Sequence, residues 1–257
     1  MDYSFTEDFA DEHEHEHEDE DEYGFFPDDD DDDDSTIEEL SPRVRISSPP
    51  RVGTGRVLPA RFRPAIGHRA SPAVCRFINT ANPTQFLIYT DGACLDNGGP
   101  NSRAGWSFVF KPCTENRPGY VRQPLENKGP SGEAHGQTSN RAELRAVIAA
   151  LGFWAWPGEG CNSLVIATDS EYVVEGVTSW VRGWVRRGWM TRMGAAVKNR
   201  DLWERLLGEI ERWPEHGLDI AFWRIPREWN TDADYHARHA ASQDRADAFQ
   251  EVRGVLV

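Results

Sequence analysis

Two short apolar runs in this chain end alike, Ile88-Tyr89-Thr90-Asp91 and Ile166-Ala167-Thr168-Asp169. If both are strands of one sheet running the same way, Asp91 and Asp169 emerge side by side at a sheet end, where α/β proteins commonly place ligands. Two more acids stand near helix starts: Glu143 in Asn140-Arg141-Ala142-Glu143-Leu144 and Asp234 in Asn230-Thr231-Asp232-Ala233-Asp234. Gathered carboxylates repel unless a cation neutralises them. Hard oxygen donors suit Mg²⁺ or Mn²⁺, and two such ions about 3.5–4 Å apart can activate a water and stabilise a leaving oxygen in phosphodiester hydrolysis. Taken singly, each acid reads equally well as a helix cap or an exposed surface residue.

The elements that must position these acids can be read from apolar periodicity. Strands are expected at Phe86–Thr90, where Asp91-Gly92 reads as a turn, at Ala104–Phe110, around Tyr120–Pro124, at Leu164–Thr168 and at Leu218–Arg224. Helices are expected at 139–156, stopped by Pro157-Gly158, at 170–185, as one helix or two broken at Gly176, at 199–213, ended by Pro214, and at 230–241, with Asn230 as N-cap. The order β-β-β-α-β-α-β-α predicts an α/β fold with a five-stranded mixed sheet, an antiparallel meander followed by crossover strands, covered by helices.

The 257 residues carry a net charge of −15, which taken whole argues against a partner with a phosphate backbone. The charge is not evenly spread. Residues 1–40 hold 21 acids and no Lys or Arg, residues 41–80 hold 8 Arg and no acid, and residues 81–257 are within two charges of neutral. Residues 1–40, with the alternation His13 to Glu18 and the run Asp28 to Asp34, read as an acidic disordered tail, because self-repulsion and scarce apolar area preclude a core. Adjacent His and Glu ligands in such a chain have no fixed geometry for a metal. Residues 41–80, with Ser41-Pro42 and Pro49-Pro50, read as an Arg/Pro-rich extended linker. A folded domain is expected over 81–245, with a C-terminal extension at 246–257. No apolar run approaches the length of a membrane span, and the N-terminus has neither a secretory nor a transit pattern. Four scattered cysteines without a CxxC pair favour a reducing, intracellular compartment, nucleus or cytoplasm, rather than secretion.

A second feature is Trp180-Val-Arg182-Gly-Trp184-Val-Arg186-Arg187-Gly-Trp189, where basic and aromatic residues interleave. That composition suits phosphate contact combined with stacking or sugar packing. Tryptophans at helical spacing also pack helices together, and at least one of the three is expected to do so.

Residues 84–242 resemble type 1 ribonuclease H, in a eukaryotic, fungal-like variant that lacks the usual His loop. Five fragments carry the resemblance in order: Thr90-Asp91-Gly92-Ala93-Cys94-Leu95-Asp96-Asn97-Gly98-Gly99-Pro100, Asn140 to Leu144, Thr168-Asp169-Ser170-Glu171-Tyr172-Val173, Val197-Lys198-Asn199-Arg200-Asp201-Leu202-Trp203, and Asn230 to Asp234. The resemblance implies a ribonuclease H-like fold and endonucleolytic cutting of the RNA strand of RNA–DNA hybrids, with 5′-phosphate and 3′-hydroxyl ends. It implies two Mg²⁺ ions, or Mn²⁺, with Asp91 bridging them, Glu143 and Asp169 completing the site, and Asp234 holding the second ion. The RNA strand would be chosen through successive 2′-hydroxyls. Cys94, Asn97 and Asn140 would lie along that groove. Thr138 would lie near a DNA phosphate, Tyr172 and Trp180 on the DNA channel, and Arg182, Trp184, Arg186, Arg187 and Trp189 on a basic handle. Cys94 reads equally well as a small apolar filler.

The departures are as specific as the matches. The family usually places a flexible His loop before its last acid, whereas here Trp223-Arg224-Ile225-Pro226-Arg227-Glu228-Trp229-Asn230 is shorter and has no His. Glu228 is a candidate proton carrier in its place. His236 and His239 lie at offsets from Asp234 that turn a helix by about 200° and 500°, so neither sits over it, and His236 reads as a packing residue. Two readings from different classes follow: a hybrid-cutting enzyme, expected to be a monomer without a membrane partner, and a hybrid-binding module that kept the fold and lost turnover. An acidic tail can also compete with nucleic acid for a basic handle, so contact between the two, giving weak self-inhibition, is an expectation of the charge pattern.

Overall fold

The computed structural model describes residues 62–67, 73–113 and 118–254. The tail at 1–40 and its expected contact with the handle lie outside the described residues, as does all of 41–61.

Seven strands form one sheet: β1 (Phe62–Gly67), β2 (Val74–Asn79), β3 (Gln85–Leu95), β4 (Arg103–Val109), β5 (Tyr120–Pro124), β6 (Ser163–Thr168) and β7 (Asp219–Arg224). β1 to β5 are antiparallel neighbours in chain order, while β6 pairs parallel with β3 and β7 parallel with β6. All five expected strands are present, in the expected mixed arrangement. The helices are α1 (Ser139–Phe153), α2 (Glu171–Glu175), α3 (Val181–Arg186), α4 (Arg200–Arg212) and α5 (Thr231–Ala241). A π-helical turn, Gly176–Trp180, separates α2 from α3, so the break expected at Gly176 is real.

Two expectations are corrected. The linker reading of 41–80 fails for β1 and β2, which extend the sheet to seven strands. β1 pairs with β2 alone, and an edge strand tolerates a residue such as Pro64 that lacks an N–H. The period-2 alternation puts Phe62 and Phe77 with Leu87, Tyr89, Val165, Ala167 and Trp223, covering the sheet face that α1 leaves bare. Arg76, one of the scattered linker arginines, is buried: it donates to Glu159 through Nε (2.8 Å) and Nη2 (2.5 Å), and its guanidinium lies 5.2 Å from the centre of the Phe110 ring. The second correction concerns Asp91-Gly92. It is not a turn; β3 continues to Leu95, and β4 pairs with it from Tyr89 to Leu95.

The C-terminal extension is tied to the domain as far as it is described. The amides of Asn127 and Lys128 donate to the carbonyls of Ala246 and Asp247, and Gly254 N donates to Phe153 O. Arg145, 1 % exposed, donates to Glu126 and to the Gln250 carbonyl and lies between the Trp106 and Phe249 rings.

Helices meet the sheet most closely at two glycines. A Cβ on Gly92 would fall 2.1 Å from Glu143 N, and one on Gly105 would fall 2.2 Å from Ala241 N. Gly92 and Ala93 pair with Trp106 and Gly105 in turn, so the two glycines open opposite faces, one to α1 and one to α5. Both helices that carry an acid of interest are thus seated directly on β3–β4. Gly92→Ala is expected to lower the melting temperature through overpacking worth about 1–3 kcal/mol. Gly208→Ala, on an exposed turn of α4 with nothing within 4 Å, is expected to raise it through roughly 1 kcal/mol of helix propensity. Thermal unfolding of the two variants checks the opposite signs.

Candidate active site

The register of the parallel seam fixes the first two acids. The last β3–β6 pair is Tyr89 with Ala167, and Asp91 and Asp169 each stand two residues beyond it. Glu143 arrives through the Gly92 contact, which puts its backbone nitrogen against β3. Asp234 arrives through α5: Ser107, the β4 partner of Asp91, donates its hydroxyl to the carbonyl of Ala233 at 2.6 Å.

The acids share one electrostatic field. Asp91 is 6 % exposed. Burial first, and then the charges of Asp169, Glu143 and Asp234, hold its carboxyl well above the ordinary range, against a smaller opposing effect from the Gly92 amide. The other three acids each have a donor. Ser170 Oγ donates to Glu143 Oε2 in a very short contact. Asn230 Nδ2 donates to Asp169 Oδ1 at 2.6 Å. Arg238 Nε donates to Asp234 Oδ1 and Oδ2 at 3.0 and 3.1 Å, and Arg227 Nη2 lies 3.9 Å from Oδ1.

The donor set fits a hard divalent cation, being four carboxylates with a buried, repelled charge at the centre. Among the described residues, no three metal-ligating side chains are drawn close enough to hold an ion as they stand.

The remaining expected site residues divide. Cys94 is half-buried, its thiol directed at the carbonyl of Gln137 (3.5 Å) and pushed up to about 11 by burial and Asp96. It packs against the core, in line with the filler reading. Asn97 is exposed in the turn after β3, where Asp96 has φ 54° and accepts from Gly99 N. Thr138 caps α1, its side chain accepting from Arg141 N. Asn140 follows in the first turn, half-buried. Arg141 locks this helix start to that of α4 through two bonds to Asp201 (2.9 and 2.8 Å) and one to Asn199. Burial would push the Asp201 carboxyl up, but these bonds and the Arg141 charge outweigh it and hold the group low.

The handle is part core and part surface. Arg182, Arg186 and Arg187 are exposed on α3 and just past it. Trp184 is corrected: at 6 % exposure it packs against Trp203 and Trp180, with ring centres 5.4 and 5.8 Å away, so it anchors the handle rather than touching a ligand. Trp180 and Trp189 are half-buried, and Arg200 lies over the Trp189 ring. The Tyr172 hydroxyl accepts from Trp203 Nε1 (2.9 Å) and Asn199 Nδ2 (3.2 Å), which commits it to the root of the handle. Glu228 is exposed in the 3₁₀ turn Arg227–Trp229. His236 stacks on Tyr120 and, with His239, meets Arg122 of β5, away from Asp234 as expected.

Sequence reading missed Ser170 and gave Asn230 a different job. Ser170 directly follows Asp169, and a hydroxyl beside an acid is the only signal it offers. The side chain of Asn230 makes no cap bond.

An open mixed sheet with four acids gathered near its parallel seam is a framework that a divalent cation would suit. The family model described as RNase H matches residues 83–222. A protein named Ribonuclease H from Xanthomonas oryzae pv. oryzae is 39 % identical over 166 residues, covering 65 % of this chain and 95 % of that one. Ribonuclease HI of Xylella fastidiosa is 44 % identical over 124 residues, 48 % of this chain and 71 % of its own. A solved structure, LC9-RNase H1, described as a type 1 RNase H with the type 2 active-site motif, aligns at 27 % identity and TM-score 0.43, over 62 % of this chain and 72 % of its own. The chain belongs to the RNase H family, and it is an enzyme, a ribonuclease. Members of the family generally use divalent metal ions.

The raised carboxyl of Asp91 has a consequence for the metal-free protein. A group bound to its proton more tightly when folded than unfolded destabilises the fold once ionised. The penalty starts above the unfolded Asp range and is full above the folded value. Asp91→Asn is therefore expected to raise the melting temperature in chelator at pH 7, by roughly 2–4 °C per kcal/mol relieved, with the gain shrinking toward pH 4. Unchanged melting at pH 7 would show that the charge of Asp91 is not a burden on the fold.

Proposed function

We propose that this ribonuclease cuts internal phosphodiester bonds in the RNA strand of RNA–DNA hybrids, leaving 5′-phosphate and 3′-hydroxyl ends. The observation that carries the proposal is the convergence of Glu143, Asp169 and Asp234 on the buried Asp91, in a chain whose relatives are named Ribonuclease H. These four residues would hold two Mg²⁺ ions, with Mn²⁺ as a substitute. Such ions supply a more acidic water and offset charge on the leaving oxygen.

The chain's own groups account for selection. Cys94, Asn97 and Asn140 would meet successive 2′-hydroxyls, the group that separates RNA from DNA. The exposed guanidinium groups of Arg182, Arg186 and Arg187 would take phosphates of the DNA strand, with the half-buried Trp180 and Trp189 packing on sugars and Thr138 near a phosphate. Tyr172 and Trp184 would act behind that surface, by fixing the handle's root. The proposed working unit is a monomer.

A labelled hybrid incubated with Mg²⁺ is expected to show internal RNA cuts, and Asp91→Asn to abolish them with hybrid binding retained. Binding without cutting in either Mg²⁺ or Mn²⁺ would select the non-catalytic module instead. Equal cutting of single-stranded RNA would remove the hybrid specificity.

Glu228, exposed in the turn that replaces the family's His loop, is proposed as the proton carrier. Glu228→Gln is expected to lower kcat by about 10²-fold or more and to flatten one limb of the pH–rate profile. An unchanged rate and profile would dismiss this role.

A further inference from the structure

Asn230 immediately precedes α5, where a residue of its type commonly caps the helix by accepting from a backbone amide. Here the side chain turns inward instead. It is 1 % exposed, and its amide nitrogen has two acceptors, the Thr90 carbonyl at 3.0 Å and Asp169 Oδ1 at 2.6 Å. An amide NH₂ has two protons, so both are committed. The backbone carbonyl of the same residue accepts from Asp234 N at 2.9 Å. One residue therefore touches β3 one position before Asp91, the carboxylate of Asp169 at the end of β6, and the backbone of Asp234 at the start of α5.

This arrangement is costly for a merely structural residue. α5 forgoes a side-chain cap, worth about 1 kcal/mol. Asn230 Oδ1 is buried without a hydrogen-bond partner, and so is the nearby Thr90 Oγ1; orphaned buried polar atoms are rare and call for a reason. The reason on the page is the bond to Asp169, short and charge-assisted.

We infer that Asn230 is a positioning residue, which holds the carboxylate of Asp169 at a fixed place relative to Asp91 and Asp234 against their mutual repulsion, so that this one ligand is already oriented when a cation arrives. The inference rests on the reading of the four acids as cation-holding. Side-chain chemistry at 230 is narrowly constrained. Aspartate would add a fifth carboxylate and bring no donor, serine is too short to bridge Thr90 and Asp169 together, and glutamine is one methylene too long for a site this closely packed.

The test is Mn²⁺ binding to the full chain by calorimetry, without nucleic acid, in wild type, Asn230→Ala and the near-isosteric Asn230→Leu, each first shown to be folded by thermal melting in chelator. Both variants are expected to bind Mn²⁺ about 10–100-fold more weakly, the range over which partners of metal ligands tune a site. On the hybrid, kcat should fall with KM within about twofold, since the substrate-contacting surface is untouched. In an Asp169→Asn background the same substitutions should change Mn²⁺ affinity by less than about twofold, because coupled residues are not additive. Wild-type affinity in Asn230→Leu would overturn the role of Asn230 alone, and so would an undiminished loss in the Asp169→Asn background. Absence of Mn²⁺ binding by the wild type would overturn the cation reading and the role of Asn230 together.

Discussion

The carboxylate of Asp91 is buried against three others, and the rest of the domain is arranged to hold that unfavourable contact in place. Charges of one sign in a partly desolvated site push their carriers apart, so the elements bearing them must be fixed by stronger short-range forces. Two close approaches provide them. At Gly92 the backbone of α1 lies on β3 where any Cβ would collide, and at Gly105 that of α5 lies on β4 in the same way. Glu143, Asp169 and Asp234 each also have a non-acidic donor, from Ser170, Asn230 and Arg238 respectively. For Asp91, the opposing effect among the described residues comes from its neighbour's backbone amide. Charge compensation is thus least complete at the centre of the cluster, where an incoming cation would gain most.

Away from the acids, buried arginines do the fastening. Arg145 joins Glu126 to the C-terminal segment, Arg141 joins the starts of α1 and α4, and Arg76 joins β2 to the turn after α1. A buried ion pair recovers little net stability once desolvation is counted. Its value here is location, because a guanidinium grips a carboxylate through two parallel bonds and can stack on rings at the same time. Arg145 between Trp106 and Phe249, and Arg76 over Phe110, do both. A lysine in either place would offer a single point charge and no flat face.

The order of the domain from Phe86 to Ala241 is legible because its strands are short apolar or alternating runs and its helices have 3.6-residue periodicity. The four acids are legible because Asp91 and Asp169 follow matching apolar runs and Glu143 and Asp234 stand near helix starts, although β3 continues past Asp91 to Leu95. What was not legible depends on partners distant in sequence. β1 and β2 are six residues each, and their apolar positions are diluted by Pro64, Arg63 and Arg76, so composition spoke for a linker. Only the bare face of β3, β6 and β7 explains why Phe62 and Phe77 are where they are. Trp184 and Trp189 look alike in sequence. The first is buried because Trp203, on another helix, lies 5.4 Å away, and the second lies past the end of α3 with a positive φ. Asn230 carried the composition of a cap, and nothing local signals that Asp169 competes for its amide.

The loop that replaces the usual His segment follows from the same demand for fixed geometry. Ile225 N donates to Thr168 O, Trp229 N to Pro226 O and Asn230 N to Arg227 O, so the chain from β7 to α5 is bonded at both of its ends. Ile225 and Trp223 are buried beneath it, Trp229 packs beside them, and Arg224 pairs with Glu171 at 2.6 Å. Such a loop delivers Asn230 to the seam between β3 and β6 in one orientation. It leaves little freedom for a residue within it to swing toward a substrate and back. A group that moves protons from this loop must therefore work by side-chain rotation alone, from an exposed position close to Asn230. Among the residues between Trp223 and Asn230, Glu228 is the one carboxylate that meets that condition. Rigidity that sets the acids and mobility that serves proton transfer are in this chain assigned to backbone and side chain respectively.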